Sequence, residues 1–411
     1  MTNIALADHE IGCEADSART SNVPRRLRKF LSLEDFERAA KRQLPRMVYG
    51  FVSGAAETGA ASQAARAELA GLALVPRTLV DVSSRDKSAV LFGQRYSAPF
   101  GIAPLGGAAI AAYRGDLALS AAAASEDIPM ILSASSLIKL EEVHRLNPRA
   151  WFQAYLAGEQ SRIDAMIDRI ARAGFGTLVI TADTPVPGNR ENNVRNGFSM
   201  PLRVTPKVAL DSAMHPRWLL GTLARTVALH GIPHFENMDA TRGPPMLSQD
   251  SVRNMNNRDQ LAWRHIESIR RRWKGNLVIK GLLATQDAVQ ARELGADGII
   301  VSNHGGRQLD CAIAPIRVLP EIVEAAKGMS VMFDGGIRRG TDVLKALALG
   351  ANFVFLGRPF LYAASVAGPA GVRRAIDLLR EEVDRDMALL GARTLAELSP
   401  EFVRPLHPSA R

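Results

Sequence analysis

Short apolar runs that end in glycine or polar residues recur along the chain, with alanine-rich, charged stretches between them. Apolar runs of this length are typical of strands buried on both faces of a parallel sheet. The stretches between them have helical periodicity, as in Gly115–Ala124, Ser161–Ala173 and Thr285–Leu294. Strands that alternate with helices in this way predict an α/β fold of the (β/α)8 TIM-barrel type. The eight predicted strands are Pro99–Leu105, Pro129–Ser133, Trp151–Tyr155, Thr177–Asp183, Leu277–Gly281, Gly298–Ser302, Val331–Asp334 and Phe353–Gly357.

A doubly wound open sheet is the alternative fold for the same alternation of strands and helices. It would place a glycine-rich G-x-G-x-x-G turn after the first strand, and the sequence has none there. Each of the eight runs instead ends in glycine or polar residues. We therefore expect the functional site at the C-terminal face of a barrel, where the loops that follow the strands converge.

The predicted domain organisation is one barrel domain over residues 31–402, with an irregular leader at 1–30 and a tail at 403–411. Ser32, with Asp35 three residues later, predicts the start of the first helix. The fourth and fifth strands lie much farther apart than an ordinary crossover requires, which predicts an insertion over about 200–257.

The insertion contains one amphipathic segment, Pro216–His230. A regular helix would place Leu219, Leu220, Leu223 and Val227 on one face, with Arg217 and Arg225 opposite. This pattern is explained either by a lid helix packed on the barrel mouth or by an amphipathic surface that contacts a membrane or a partner.

Composition and charge limit the kinds of partner and the cellular compartment that we expect for the chain. The formal net charge of +9 over 411 residues favours anionic partners: a phosphate-bearing cofactor, a carboxylate substrate or an acidic membrane face. No basic block with interleaved aromatic residues points to nucleic acid. The two distant cysteines, Cys13 and Cys311, do not form a disulfide framework, and Met1–Glu10 lacks the pattern of a signal peptide. We therefore expect a cytoplasmic protein, with peripheral contact to the inner face of the membrane as the other prospect.

The strongest candidate for chemistry is the run Ser302–Asp310, with the sequence SNHGGRQLD, directly after the sixth predicted strand. His304 can transfer a proton near neutral pH, and Arg307 offers a planar, charged fork suited to a carboxylate. Taken alone, this spacing also fits an ordinary strand-to-loop turn with a solvated histidine and arginine.

This run resembles the signature of the FMN-dependent 2-hydroxy acid dehydrogenase and oxidase family, which includes glycolate oxidases, L-lactate dehydrogenases and mandelate dehydrogenases. The resemblance extends over roughly 31–402, with one divergent segment near the middle, and is nearest to the mandelate and lactate dehydrogenase branch. It implies FMN as the cofactor and the oxidation of a 2-hydroxy acid as the reaction. It also implies a homo-oligomer, a tetramer in the family, and no metal site.

The resemblance implies a set of catalytic residues. His304 matches the base that takes the hydroxyl proton, and Asp183 matches the carboxylate that steadies the protonated histidine. Tyr155 matches the tyrosine bonded to the substrate hydroxyl, and Lys280 matches the lysine that stabilises the reduced flavin. A Schiff-base role for Lys280 would imply aldolase chemistry, which the His304–Arg307 run disfavours.

The resemblance also implies how the substrate carboxylate is held. Arg307 matches the main carboxylate-binding arginine, and Arg190 resembles the second. The segments Leu44–Tyr49 and Gly54–Glu57 resemble the two ends of the family's first active-site block, whose tyrosine also bonds the carboxylate. Phe51 stands at that position, so this hydrogen bond is expected to be absent.

The flavin site implied by the resemblance uses several strand ends. Some residues of this site lie under the flavin ring, others form hydrogen bonds with the ring, and the rest hold the phosphate near the last two strands. The residues under the ring are Ala103, Pro104 and Leu105; those that bond it are Ser133, Gln153, Thr181 and Ser302; those of the phosphate site are Asp334, Gly335, Gly336, Arg338, Gly357 and Arg358.

Small residues on the substrate side predict a roomy pocket. Ser135 stands where glycolate oxidases carry tryptophan, and Gly106 and Gly107 replace larger residues of several relatives. We therefore expect a bulky or aromatic (S)-2-hydroxy acid such as mandelate. Gly106 also matches the dehydrogenase branch, which favours a quinone over oxygen as electron acceptor.

The sequence leaves other functions open. They are an L-lactate dehydrogenase, an oxidase that reduces O2 to H2O2, a flavin isomerase, and a non-catalytic barrel that binds a membrane or partner through the insertion. Mandelate dehydrogenases and some lactate dehydrogenases of the family use this region for membrane association.

Overall fold

The eight predicted strands form one parallel sheet that curls into a barrel. The computed structural model describes residues 23–248 and 257–406. We number the barrel strands β1 (Phe100–Ile102), β2 (Ile131–Ser133), β3 (Trp151–Ala154), β4 (Thr177–Thr181), β5 (Asn276–Leu282), β6 (Gly298–Val301), β7 (Ser330–Asp334) and β8 (Phe353–Leu356). From β2 to β8, each strand pairs in parallel with the next one along the chain, and β8 pairs with β1. A bridge between Ile102 and Met130 completes the circle, which confirms the TIM barrel and excludes the open sheet.

Helices surround the barrel, and the three named from the sequence lie where they were predicted. The longest, Arg358–Leu390, is interrupted at Ala367 and Gly368, which do not have helical backbone angles. The other helices before the insertion are Leu33–Gln43, Arg46–Ser53, Ala60–Ala70, Ala108–Ala111, Gly115–Ser125, Leu140–Leu146, Gln160–Arg172 and Glu191–Arg195. Those after it are Trp263–Arg272, Thr285–Glu293, Pro315–Ala325 and Gly340–Ala348, and 3-10 turns cover Arg25–Leu27, Arg258–Gln260, Leu395–Glu397 and Pro400–Phe402.

The barrel interior is a packed core. Side chains from the barrel strands, such as Val179, Val278 and Met332, form one buried cluster. A hairpin of Ala89–Leu91 and Gln94–Tyr96 covers the N-terminal end of the barrel, where Tyr96 meets the ring of Phe353. Only the C-terminal end is therefore left for a ligand.

The core extends past both predicted domain limits. Leu27 and Phe30, in the predicted leader, are buried against the barrel helices. Val403–Pro405, in the predicted tail, pairs with Leu72–Leu74. Apolar side chains at both ends explain the difference, because burial removes them from water. Cys13 lies outside the described residues.

The amphipathic segment of the insertion is helical but irregular. After a first helix at Pro206–Ala213, a continuous helix covers Pro216–His230, with a π-helical stretch at Leu219–Ala224. Four apolar residues were predicted on one face of a regular helix, and this prediction is wrong for Leu219. Leu219 packs against the core, while Leu220, Leu223 and Val227 are exposed.

We call Leu220, Leu223 and Val227 the outer apolar face. The start of the same helix is anchored on the barrel mouth, because Trp218 is buried and its indole nitrogen donates to the Ile110 carbonyl at 2.8 Å. The helix therefore combines a packed end with an exposed apolar surface. Among the described helices, none is both long and apolar enough to cross a membrane.

Candidate active site

One cavity of about 800 Å³ opens at the C-terminal ends of the strands, where the sequence predicts the site. Its size is in the range of small-molecule sites. The predicted residues on its wall are Phe51, Ala103, Pro104, Leu105, Gly106, Ser135, Tyr155, Arg190, Lys280, His304, Arg307, Asp334, Gly335, Gly336, Arg338, Gly357 and Arg358. The remaining predicted residues, Ser133, Gln153, Thr181, Asp183 and Ser302, are at strand ends just behind this wall.

His304 is held between an acid and a tyrosine. Its Nδ1 lies 2.9 Å from Asp183 Oδ1, and its Nε2 lies 3.4 Å from the Tyr155 hydroxyl. Asp183 reaches this position because Gly281 leaves room: a Cβ there would lie 2.5 Å from the Asp183 carboxyl carbon. The bond to Asp183 fixes the ring so that Nε2 faces the cavity.

The protonation states of His304 and Asp183 depend on their burial and on the charge of the neighbouring residue. Burial lowers the pKa of His304, and the opposing effect of Asp183 is too weak to cancel this shift. Burial would raise the pKa of Asp183, but the neighbouring His304 outweighs it and the pKa is lowered. Asp183 is therefore ionised and His304 neutral near pH 7, which is the form of histidine that accepts a proton.

Lys280 is buried at the end of β5 beside two polar partners. Its ammonium lies 3.1 Å from Asp334 Oδ2 and donates to Ser302 Oγ at 2.8 Å. Burial alone would lower the pKa of Lys280, but the charges of Asp334 and Asp183 raise it. The lysine is therefore a fixed cation at the cavity wall, and this charged form cannot start a Schiff base.

Three arginines concentrate positive charge on the wall. Arg307 donates to the Phe51 and Gly54 carbonyls at 2.9 and 2.7 Å, and Arg358 donates to the Gly54 and Gly305 carbonyls. Arg190 bonds the Gln308 side chain. Burial, with Arg190 and Arg358 nearby, lowers the pKa of Arg307 well below its usual value. Within the described residues, no carboxylate forms an ion pair with any of the three, so they are arranged for anionic ligands.

Phe51, at the position that matches the family tyrosine, makes this part of the cavity wall apolar. Its ring stacks on Phe198 at 4.4 Å, and the Arg307 guanidinium lies 5.4 Å from the ring centre. Tyr49 faces away from the cavity and stacks with Tyr362. Tyr49 therefore does not replace the missing hydroxyl.

Gly106 and Ser135 lie next to each other on the wall of the cavity. A Cβ on Gly106 would lie 2.9 Å from the Ser135 Cβ, so a larger side chain at either position would crowd the other. Part of the space beside them is taken by the insertion, since Ser135 Oγ lies 3.5 Å from the sulfur of Met238. The pocket therefore depends on both the barrel and the insertion.

Buried polar atoms at the barrel end fit a polar planar ligand. Ser133 Oγ donates to Gln153 Oε1 at 2.9 Å, whereas Gln153 Nε2 and Thr181 Oγ1 are buried and have no hydrogen-bond partner among the described residues. Such atoms are costly unless a ligand or water satisfies them. With the arginines and glycines after β7 and β8, these residues fit the ring and phosphate of FMN.

Sequence reasoning missed several residues near the site. Arg258 places its guanidinium 4.3 Å from the centre of the Tyr155 ring and also contacts Met238. Burial raises the pKa of Tyr155, and Arg258 is the strongest charge opposing that shift. Phe235 and Met246 of the insertion, and Phe198 just before it, line the cavity. Chain spacing gave no signal for them, because their approach depends on the path of the insertion.

The fold and the cavity define a class of protein: a barrel enzyme with glycines and arginines after its last two strands and a histidine–carboxylate pair in the same cavity. The family model described as FMN-dependent dehydrogenase matches residues 40–405. The chain belongs to this family, and it is an FMN-dependent oxidoreductase.

Relatives and solved structures match this chain over nearly its whole length. The chain is 36% identical to the (S)-mandelate dehydrogenase of Pseudomonas putida, over 91% of this chain and 94% of that protein. It is 40% identical to an L-lactate dehydrogenase of Ectopseudomonas mendocina, over 90% and 97%. The crystal structure of the monotopic membrane protein (S)-mandelate dehydrogenase superposes with a TM-score of 0.86 at 36% identity, covering 92% of this chain and all of that one.

Proposed function

We propose that this enzyme oxidises an (S)-2-hydroxy acid to the corresponding 2-oxo acid. The observation that carries the proposal is that a neutral histidine, hydrogen-bonded to an ionised Asp183, faces the same cavity as arginines without carboxylate partners. A 2-hydroxy acid presents a carboxylate and, one carbon away, a hydroxyl to such a site.

Binding uses the arginines. Arg307 and Arg190 hold the substrate carboxylate, and two donors fix the orientation of the α-carbon better than one. The carbonyl bonds of Arg307 to Phe51 and Gly54 hold the guanidinium in place before substrate arrives. Phe51 offers an apolar ring, so no hydroxyl from this position supplements the arginines.

Proton transfer uses His304. Its Nε2 takes the hydroxyl proton while the C–H bond at the α-carbon breaks, and the C–O bond becomes a carbonyl. Bound FMN supplies the acceptor for the hydride. Asp183 stabilises the imidazolium that forms, and the Tyr155 hydroxyl, 3.4 Å from Nε2, is placed to bond the substrate oxygen. Arg358 and Arg338, with Gly335, Gly336 and Gly357, would hold the FMN phosphate.

The substrate is proposed to be bulky or aromatic. Gly106 and Ser135 are small residues on the cavity wall, and Phe51, Phe198 and Met246 add apolar surface to it. The relative named (S)-mandelate dehydrogenase supports this choice. L-Lactate is the second candidate, because a relative named L-lactate dehydrogenase is as similar along the chain.

We also propose that the enzyme associates peripherally with the inner face of a membrane and passes electrons to a quinone there. The outer apolar face supports this, as does the description of the related (S)-mandelate dehydrogenase as a monotopic membrane protein. A homo-oligomer, a tetramer as in the family, is part of the same proposal.

The test is steady-state oxidation of a panel of 2-hydroxy acids with an artificial quinone acceptor. Benzoylformate from (S)-mandelate, with little peroxide in aerated buffer, is the expected result. One equivalent of peroxide per substrate oxidised would show that the enzyme is an oxidase and not a dehydrogenase. Turnover of L-lactate far above mandelate would select the second candidate.

A further inference from the structure

Arg258 lies beside the active site without lining its cavity. Its guanidinium carbon is 4.3 Å from the centre of the Tyr155 ring, so the positive charge lies against the face of the phenol. At this distance a cation is attracted to the electron density of an aromatic ring. Among the described residues, Tyr155 lines the cavity and Arg258 does not. The arginine can therefore influence a bound substrate through the tyrosine, and not by direct contact.

The turn that carries Arg258 is held on the loop that carries Tyr155. The backbone amide of Gly158, three residues after Tyr155, donates to the Asn257 carbonyl at 2.7 Å. Gly158 also allows close packing, because a Cβ there would lie 2.3 Å from the Cβ of Gln260. Backbone contacts on both sides of Arg258 therefore fix its position relative to the ring.

A second contact connects Arg258 with the insertion. Its guanidinium lies 3.7 Å from the sulfur of Met238, and the Ser135 hydroxyl donates to the same sulfur at 3.5 Å. A thioether sulfur is a weak acceptor for such donors. The guanidinium is thus held between Met238 and the Tyr155 ring, next to a residue of the cavity wall.

A cation against a phenol ring changes the hydrogen bonding of the hydroxyl group. Positive charge there stabilises electron density on the phenol oxygen, so the O–H group becomes a stronger donor. Burial raises the pKa of Tyr155, and Arg258 is the strongest of the charges that lower it. Arg258 keeps its own charge near pH 7, because a guanidinium is not deprotonated in that range.

We propose that Arg258 is a positioning residue that makes the Tyr155 hydroxyl a stronger hydrogen-bond donor to the substrate oxygen. This inference rests on the proposed oxidation of a 2-hydroxy acid. When His304 takes the hydroxyl proton, negative charge develops on the substrate oxygen, to which Tyr155 can donate. The interaction is stronger in the transition state than in the bound substrate, because the charge is larger there. Arg258 should therefore affect the rate of flavin reduction more than the affinity for substrate.

The experiment is anaerobic rapid mixing of the full-length FMN enzyme with (S)-mandelate or L-lactate. The variant Arg258→Met keeps a long side chain without charge, and Arg258→Lys keeps a cation. The matched control, Arg264→Met, removes an exposed arginine from the next helix. The limiting rate of flavin bleaching measures the chemical step. Titration with phenylacetate, which has a carboxylate but no hydroxyl, measures binding, and bound flavin content checks folding.

We expect Arg258→Met to lower the limiting rate roughly 3- to 10-fold, which is a part of what a complete cation–π contact contributes. The affinity for phenylacetate should stay within about two-fold of wild type, because this ligand presents no oxygen to Tyr155. Arg258→Lys should recover most of the rate, and Arg264→Met should behave as wild type. A loss of phenylacetate affinity as large as the loss of rate would overturn the proposal in favour of direct attraction of the carboxylate.

A double-mutant cycle tests whether Arg258 acts through the hydroxyl. In a Tyr155→Phe background, Arg258→Met should have little further effect on the rate, because no hydroxyl remains to be strengthened. Equal fold-losses in both backgrounds would overturn the proposal, as would an Arg258→Lys variant as slow as Arg258→Met. Either result would assign Arg258 to the packing of the insertion on the barrel.

Failure of the proposed function would give a different result. If neither (S)-mandelate nor L-lactate bleaches the wild-type flavin, the proposed function is wrong and the role of Arg258 is wrong with it. If wild type is bleached and Arg258→Met is bleached equally fast, only the role of Arg258 is wrong.

Discussion

The backbone at His304 is a strained position that serves the site. His304 has φ of 57°, and the two glycines after it are also left-handed. Such a conformation costs on the order of 1–3 kcal/mol for a residue with a side chain. The Ser302 hydroxyl accepts the His304 amide at 3.0 Å, and Asp183 holds the ring. The strain turns the imidazole back over the strand end, into the cavity.

Replacing His304 with alanine should leave FMN bound and nearly abolish its reduction by substrate. The loss should be at least the roughly 10²- to 10⁴-fold typical of an acid–base group. Rapid-mixing absorbance of the flavin measures the rate, and His230→Ala, on the exposed end of the insertion helix, is the control. Near-normal reduction in the His304 variant would remove this residue from the base role.

The pH profile should report the His304–Asp183 pair. The neutral base is required, so kcat/KM falls as pH decreases through the pKa of His304. Because burial lowers that pKa, the acid limb should lie below the usual histidine value of about 6.5. Asp183→Asn removes the charge that raises the pKa, so the limb should move to still lower pH while kcat falls. A limb that moves upward would contradict this electrostatic account.

Filling the space beside Gly106 should exclude large substrates first. Ser135→Trp should reduce kcat/KM for (S)-mandelate more than for L-lactate, because the indole would occupy the position of the substrate side chain. Overpacking of this kind costs about 1–3 kcal/mol. Ser135→Ala is the control that should leave the ratio near wild type. A ratio that stays the same or rises after Ser135→Trp would place the substrate side chain elsewhere.

At the scale of elements, the insertion helix is the part that departs most from a plain barrel. Trp218 anchors one end on the barrel mouth, while Leu220, Leu223 and Val227 remain exposed. Both interpretations drawn from the sequence therefore describe part of the helix. The boundary between the two lies within the helix, since Leu219 packs on the core and Leu220 is exposed.

Making the outer apolar face polar should release the enzyme from membranes without damaging the active site. We expect the triple variant Leu220→Ser/Leu223→Ser/Val227→Ser to move to the soluble fraction with unchanged flavin content. The control, Val90→Ser/Leu389→Ser, changes exposed apolar residues elsewhere and should behave as wild type. Loss of flavin in the triple variant would instead show that this face supports the barrel mouth.

The elements that the sequence predicts well are those whose pattern depends on burial alone. The eight strands are continuous apolar runs, and all eight are present near their predicted bounds. The π-helical stretch could not be predicted, because a helical projection assumes a constant turn. Arg258 could not be assigned either: its contact with Tyr155 is made across the fold, at the end of a segment that diverges from the family.

At the scale of the whole molecule, positive charge is distributed for anionic ligands. The net charge of +9 includes the arginines of the active site. The hairpin at the opposite end of the barrel leaves the C-terminal face as the active-site face. The insertion helix, anchored on the barrel mouth through Trp218, carries the outer apolar face of the proposed membrane surface.

The most direct measurement of the central claim is anaerobic mixing of the purified enzyme with (S)-mandelate, followed by flavin absorbance. We expect bleaching of one bound FMN per chain, formation of one equivalent of benzoylformate, and a slower reaction when the α-hydrogen is deuterium. (R)-Mandelate should leave the absorbance unchanged, because its α-hydrogen would not face the same acceptor when the carboxylate is held. The account would be contradicted if no (S)-2-hydroxy acid bleached the flavin.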